Sequence, residues 1–294
     1  MANKSPSERL VDQFGFLPLK WTIEFDGGKI SPIPKFDKSW KWVGKYLHED
    51  GFLYPPTGQT YRFDLETGKK IERVPKTKRP VLLHWVPASH ELFLSCAGTK
   101  EALRDGAAAF IIHSLAYLFE TRLQFHDWWF DGRIPIGQAL KVTSSPMKVA
   151  DFLSHAYRVW NMWPQDEQKR FTNILYMRSR VPSYEWDWER FMIEYTVLDG
   201  CWKMAEKLFG LSGLSQKKRP KHEDRIRILC ERFSIPFQKS HLEMIARLRN
   251  DLFHETLWSK GRPCSSHDAS AFRMLFELRR LSKNLIPALL EYGN

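Results

Sequence analysis

The sequence predicts an α+β protein, with a β-rich N-terminal module over 1–98, a helix and connector over 99–148, and an all-α helical domain over 149–294. Three observations predict it. Up to about residue 96, short aromatic and β-branched runs are separated by glycine-bearing turns, the pattern of small antiparallel strands. After Gly98 the apolar spacing changes from two to three and four, the helical period. Over 186–209 one stripe, Trp188, Phe191, Tyr195, Leu198, Trp202, Ala205 and Phe209, keeps that spacing for about six turns and requires a partner helix.

The first strands are expected where Trp21-Thr22-Ile23-Glu24-Phe25 runs into Asp26-Gly27-Gly28, and where Tyr61 to Leu65 turns at Thr67-Gly68 toward Ile71 and Val74. The runs 81–86 and 91–95 are expected to pair as a further hairpin. Ahead of them, Lys69, Lys70, Arg73, Lys76, Lys78 and Arg79 form a basic run, read as a solvated hairpin face before a phosphate grip. Thr99 caps a helix through Leu103, Ala107, Phe110, Ser114 and Leu118, where the β part is expected to end. Gly132, Pro135, Gly137 and Pro146 mark 126–146 as a connector.

Beyond Lys148 the chain reads as successive helices punctuated by Pro164 and Pro182. Phe152, Ala156 and Val159 share one apolar face, and Phe171, Ile174, Leu175 and Arg178 share the next. After the long helix, an exposed basic link holds Lys217, Lys218, Arg219 and Lys221, the candidate RNA-contacting cations. Ile226, Leu229, Cys230 and Phe233 line a following helix. The last two helices are expected over about 239–255 and from 268, the latter with Ala271, Leu275, Leu278, Leu285 and Leu289 inward and Pro287 near its end.

A formal charge of +11 and a pI near 9.4 suit a polyanionic partner, and 43% hydrophobic content suits a packed core. Cys96, Cys201, Cys230 and Cys264 are scattered without a C-x-x-C pair, so neither a zinc knuckle nor a disulfide framework is indicated and a cytoplasmic setting is expected. The first residues lack the apolar core of a signal peptide, and the apolar stretch 107–119, interrupted by His113, is too short to span a bilayer. No membrane association and no cofactor are expected. Walker, dinucleotide-binding and nucleophile-elbow motifs are absent from the sequence, as is any HExxH set around His84, His90, His126 or His155. The tryptophans of Trp128-Trp129-Phe130 and Trp186-Asp187-Trp188 are read as packing residues before base-stacking ones.

The residues best suited to chemistry lie in Arg247-Leu248-Arg249-Asn250-Asp251-Leu252-Phe253-His254. Arginine can hold a phosphate through two parallel hydrogen bonds, and histidine moves protons near neutral pH. Asn250 lies four residues before His254 and shares its helix face. On an ideal wheel, however, Arg249 and His254 are about 140° apart, while Arg247, Asn250 and His254 fall within about 60°. Three readings follow: Arg249 acts across a dimer, the helix distorts at its end, or Arg247 shares the work. Glu194 and Asp199, off the apolar stripe of the long helix, are candidate acidic accessory residues. The bland alternative is a histidine capping its helix beside an arginine in a surface ion pair.

The Arg-Asn-x-x-x-His spacing at 249–254, closing one helix after an aromatic-striped helix and before a leucine-rich one, resembles the HEPN superfamily. The likeness covers roughly the last half of the chain and is nearest to the Apea-like branch of abortive-infection and toxin proteins. Trp188-Glu189-Arg190-Phe191 resembles that branch as well. The resemblance implies a HEPN-like helical bundle and a metal-independent endoribonuclease, working as a homodimer with Arg249, Asn250 and His254 as its site. It also implies RNA as substrate and restraint by an antitoxin or a phage-derived trigger. A member that only binds RNA, nucleotide or a partner protein is the alternative within the same family.

Overall fold

The computed structural model describes residues 9–54, 61–64, 66–67, 69–73, 83–141, 144–211, 220–263 and 269–293. The chain is α+β, with an antiparallel sheet in the N-terminal region followed by helices. It divides into two compact units, 1–108 with 118–149, and 109–117 with 150–294. The stretch 99–148, read as helix and connector, is thus shared between them.

In the first unit, β1 (Arg9–Gly15), β2 (Ile23–Phe25), β3 (Gly28–Pro32), β7 (His90–Leu94) and β8 (Gln124–Phe125) form one sheet in the order β2-β3-β7-β1-β8. The β2–β3 hairpin is the expected one. Gly27 takes φ +102° in its turn, and Gly28 has no room for a side chain, since a Cβ there would meet the Phe93 carbonyl at 2.3 Å. Helix α1 (Phe36–Gly44) follows, then β4 (Tyr61–Phe63) and β5 (Lys70–Arg73), which pair as expected. Of the basic run, Lys69 and Lys70 are exposed, while Lys76, Lys78 and Arg79 lie outside the described residues.

Two expectations fail here. The 81–86 and 91–95 runs do not pair, because β7 is an inner strand with β1 and β3 on its two sides. Instead β6 (Leu83–His84) pairs with β9 (Phe130–Asp131). Nor does the β part end at residue 98, since β8 and β9 come after the next two helices. Both are two residues long and carry no alternation to read. Asp12 on β1 is held by Lys100 at 3.2 Å and Arg104 at 3.3 Å, which ties α2 (Lys100–Asp105) to the sheet. Thr99 caps α2 as expected, its hydroxyl accepting from Ala102 N at 3.2 Å, but the single helix expected through Leu118 breaks at Gly106, whose φ −121° and ψ −109° are not helical.

Helix α3 (Ala107–Leu118) supplies the second unit with 109–117. Short α4 (Ile136–Ala139) lies in the connector. The second unit then runs through α5 (Pro146–Met162), α6 (Gln165–Arg180), α7 (Asp187–Leu208), α8 (His222–Arg232), α9 (Lys239–Glu255) and α10 (Ala269–Leu289). Helix α7 is central and packs against α6, α8, α9 and α10. Phe191, Tyr195, Leu198, Trp202 and Ala205 of its stripe are buried. Gly200 allows the close approach of α6, since a Cβ would lie 2.8 Å from Ile174 Cγ1. Phe110 stacks on Trp160 with centroids 4.9 Å apart. Trp129 and Trp186 are exposed, contrary to the packing role expected of them, whereas Trp128 meets Phe125 edge to face at 5.1 Å, Trp188 is half-buried and Phe130 is buried. Among the described residues no helix is long and apolar enough to cross a membrane.

Candidate functional site

Helix α9 buries Leu242, Ile245, Ala246, Leu248 and Leu252, residues at helical spacing, which leaves Asn250 and His254 exposed and Arg249 half-buried at the edge of that face. Thr256 ends the helix in the left-handed conformation, φ 58° and ψ 28°, its backbone N–H bonding to the Asp251 carbonyl. Beyond it Trp258 is buried against Phe191, with ring centroids 5.2 Å apart. Trp258 and Gly261 exchange two backbone hydrogen bonds of 3.0 Å around Ser259 and Lys260, both at positive φ, as a type I′ turn requires. The last turn of α9 is therefore anchored on both sides of His254.

One Arg249 nitrogen, Nη1, donates to His254 Nε2 at 2.9 Å and to Asn250 Oδ1 at 3.1 Å. A guanidinium has no lone pair to offer, so Nε2 must be the acceptor and the ring proton sits on Nδ1. The wheel angle between the two Cβ positions does not prevent the contact, because the long arginine stem carries its head around the helix. Neither helix distortion nor a second copy is needed for the pair to meet. Arg247 is exposed and turns to Met244 Sδ at 3.0 Å, so the suggested rival to Arg249 does not join the cluster.

Around this pair the structure adds residues that the sequence did not nominate. The Arg249 guanidinium carbon lies 5.0 Å from the Phe253 ring centre and 5.9 Å from that of Tyr195, distances that suit cation–π attraction. The Tyr195 hydroxyl lies 2.8 Å from His222 Nδ1 on α8. Burial drives the Tyr195 phenol well above its usual range, and the Asp199 carboxylate adds to this while Arg249 and Arg225 oppose it. Asp199 pairs with Arg225 at 3.6 Å. The Arg249 Nε atom is buried without an acceptor.

The two acidic candidates separate. Asp199 lies four residues beyond Tyr195 on α7 and belongs to the cluster. Glu194 does not: at 0% exposure it sits 3.3 Å from Arg178 Nε and accepts from Ser282 Oγ at 2.7 Å. It is a buried fastener between α6, α7 and α10. Lys221 is exposed at the N-cap of α8, next to His222, whereas Lys217, Lys218 and Arg219 fall outside the described residues. Tyr195 was legible only as part of the apolar stripe. The four-residue spacing of Tyr195 and Asp199 puts those two on one face of α7, while nothing in the sequence ties His222 to them.

Among the described residues no group of three or more His, Cys, Asp or Glu side chains is placed to hold a metal. The Cys230 thiol is pushed up to about 11 and that of Cys201 higher still, both by burial first, which makes them poor nucleophiles. The fold and site define an α+β protein bearing an Arg-Asn-His cluster on its helical unit. No protein-family profile, curated protein or solved structure matches the chain.

Proposed function

We propose that the protein is a metal-independent endoribonuclease of HEPN type, cytoplasmic, and an effector of growth arrest or phage defence held in check by an antitoxin or a phage-derived trigger. The observation that carries the reading is the 2.9 Å contact between Arg249 Nη1 and His254 Nε2 on the exposed end of α9. It pairs a fixed cation with a bare imidazole lone pair. An RNA phosphate would compete for the arginine's donors, freeing His254 Nε2 to take the proton of the adjacent 2′-hydroxyl. The 2′-oxygen then bonds to phosphorus, the bond to the 5′-oxygen breaks, and that oxygen receives a proton from an acid, in a homodimer the second copy's His254. The products are a 2′,3′-cyclic phosphate and a 5′-hydroxyl. Arg249 stabilises the charge gathering on the phosphoryl oxygens, and Asn250 orients the arginine through its amide oxygen.

Support for a homodimer comes from exposed apolar side chains at the end of α9 and the start of α10. Phe253 is 43% and Phe276 53% exposed, and Phe272 meets Phe276 edge to face at 4.8 Å. Exposed aromatic surface of this kind favours association.

The second reading is a module that binds RNA, a nucleotide or a partner protein without cutting. It is favoured by the same 2.9 Å contact, since His254 is engaged by Arg249 until something displaces it. The test incubates purified protein with a labelled RNA pool in excess EDTA, beside His254→Ala and Arg249→Ala. The expected result is cleavage leaving 2′,3′-cyclic ends, lost in His254→Ala with RNA affinity retained, and reduced on the order of 10²–10³-fold in Arg249→Ala. Cleavage that EDTA abolishes, or that His254→Ala retains, would refute the mechanism. RNA binding without cleavage, weakened by Arg249→Ala, would establish the second reading.

A further inference from the structure

We infer that His222 is a positioning residue of this site: through Tyr195 it sets the place of the Arg249 guanidinium and thereby the tautomer of His254. The inference rests on the ribonuclease reading for its effect on rate, and on geometry alone for its effect on His254.

Arg249 has aromatic rings within cation–π range on two sides, at 5.0 Å from Phe253 and 5.9 Å from Tyr195. Phe253 belongs to the same helix and is exposed, so it is the looser of the two. Tyr195 is 1% exposed and rises from the central helix, so it is the firm one. A buried phenol needs an acceptor, and the Tyr195 hydroxyl has His222 Nδ1 at 2.8 Å. Among the described residues His222 Nδ1 is the hydroxyl's one hydrogen-bond partner, so the buried phenol hydrogen is satisfied when Tyr195 donates and His222 accepts at Nδ1. The first turn of α8 is held in place by the Arg225–Asp199 pair, by Arg225 Nε donating to the Pro220 carbonyl at 3.1 Å, and by Arg225 N bonding to the Lys221 carbonyl.

A chain of defined contacts therefore runs from α8 through α7 to α9. His222 fixes the Tyr195 hydroxyl, Tyr195 walls Arg249, and Arg249 Nη1 keeps His254 as the Nδ1–H form with Nε2 bare. What His222 must supply is only a hydrogen-bond acceptor at the position of Nδ1. An asparagine oxygen can do that, while leucine cannot. A proton-carrying histidine would tolerate neither.

The experiment uses the full chain with ¹⁵N-labelled histidine, reading the His254 ring nitrogens at mildly alkaline pH, together with kcat and KM on an RNA substrate. In wild type, His254 should show a protonated Nδ1 and an unprotonated Nε2. His222→Leu should blur that tautomer and lower kcat on the order of tenfold or more, the scale on which partners of catalytic groups act. His222→Asn should restore both. Tyr195→Phe, which removes the donor and leaves no buried hydroxyl unsatisfied, should reproduce the leucine effect and serves if His222→Leu does not fold. The double variant should be no worse than either single one. An unchanged His254 spectrum in His222→Leu and Tyr195→Phe would overturn the inference. So would failure of asparagine to rescue, which would assign His222 to proton transfer instead. If wild type cuts no RNA, the ribonuclease reading fails while the tautomer measurement still decides whether His222 positions Arg249.

Discussion

Each unit buries a histidine, and together they should make the protein lose stability in mild acid. His90 lies on β7 with its Nδ1 2.9 Å from Ser89 Oγ, and burial pushes its imidazole down to about 4 against the opposing pull of the Leu19 and Trp21 backbone. His113 lies on α3, edge-on to Tyr176 at 5.1 Å, with Nδ1 lacking a partner, and burial alone takes it to about 4. The unfolded chain binds a proton on each ring near pH 6.5, while the folded chain does not until about pH 4. Stability is therefore full above the upper value and falls between the two. At pH 5 the loss works out at about 2 kcal/mol per ring, and at pH 4 about 3 kcal/mol. Set against a domain stability of roughly 5–15 kcal/mol, that is a large share for either unit. Urea unfolding followed by circular dichroism at pH 8, 6.5 and 5 measures it. Because an aromatic ring can occupy the His113 position without a polar atom to satisfy, His113→Phe should remove about 2 kcal/mol of the difference between pH 8 and 5. If wild type and His113→Phe show the same pH slope, or if the His113 ring titrates near 6.5 in the folded protein, the reasoning is wrong.

Three other outcomes are expected. Glu194→Ala should destabilise the helical unit by about 3–5 kcal/mol by stranding the Arg178 charge in the core, measured by denaturant unfolding, with an unchanged unfolding midpoint as the contrary result. A large loss of RNA-cleaving rate with full stability would return Glu194 to the site. Gly28→Ala should cost about 1–3 kcal/mol or more, since its Cβ would press on the backbone carbonyl of Phe93, with the thermal midpoint as readout and an unchanged midpoint as the contrary result. Phe276→Glu should lower the mass seen by light scattering from two chains to one at micromolar concentration, and a wild-type mass of one chain would remove the dimer from the proposal.

The helices of the second unit were legible because amphipathic periodicity is a local property. The bounds of α7 and α9 fall within a residue of the sequence reading, since Trp186 and Phe209 flank one stripe and Thr256 ends the other. Pairing of strands is not local. Leu83-His84 and His90 to Leu94 look like hairpin partners until β1, the strand that occupies β7's other side, is known. Strand β1 itself hides because its register slips between Leu10 and Asp12 and its Asp12 points into the protein to meet Arg104 and Lys100. In the site, Arg249, Asn250 and His254 could be read from spacing within one helix. Tyr195 and His222 could not, as their meeting depends on how α7 and α8 pack.

Adjacent residues on α7 serve different masters. Glu194 points into the core to Arg178 and Ser282, while Tyr195, about 100° further around the helix, faces His222 and Arg249. The helix therefore cannot roll or slide to accommodate a changed core without also displacing the wall of the cluster. Over evolutionary time this should restrict the acceptable histories of positions 178, 194 and 282: substitutions there would survive when they arise as matched sets that preserve the azimuth of α7.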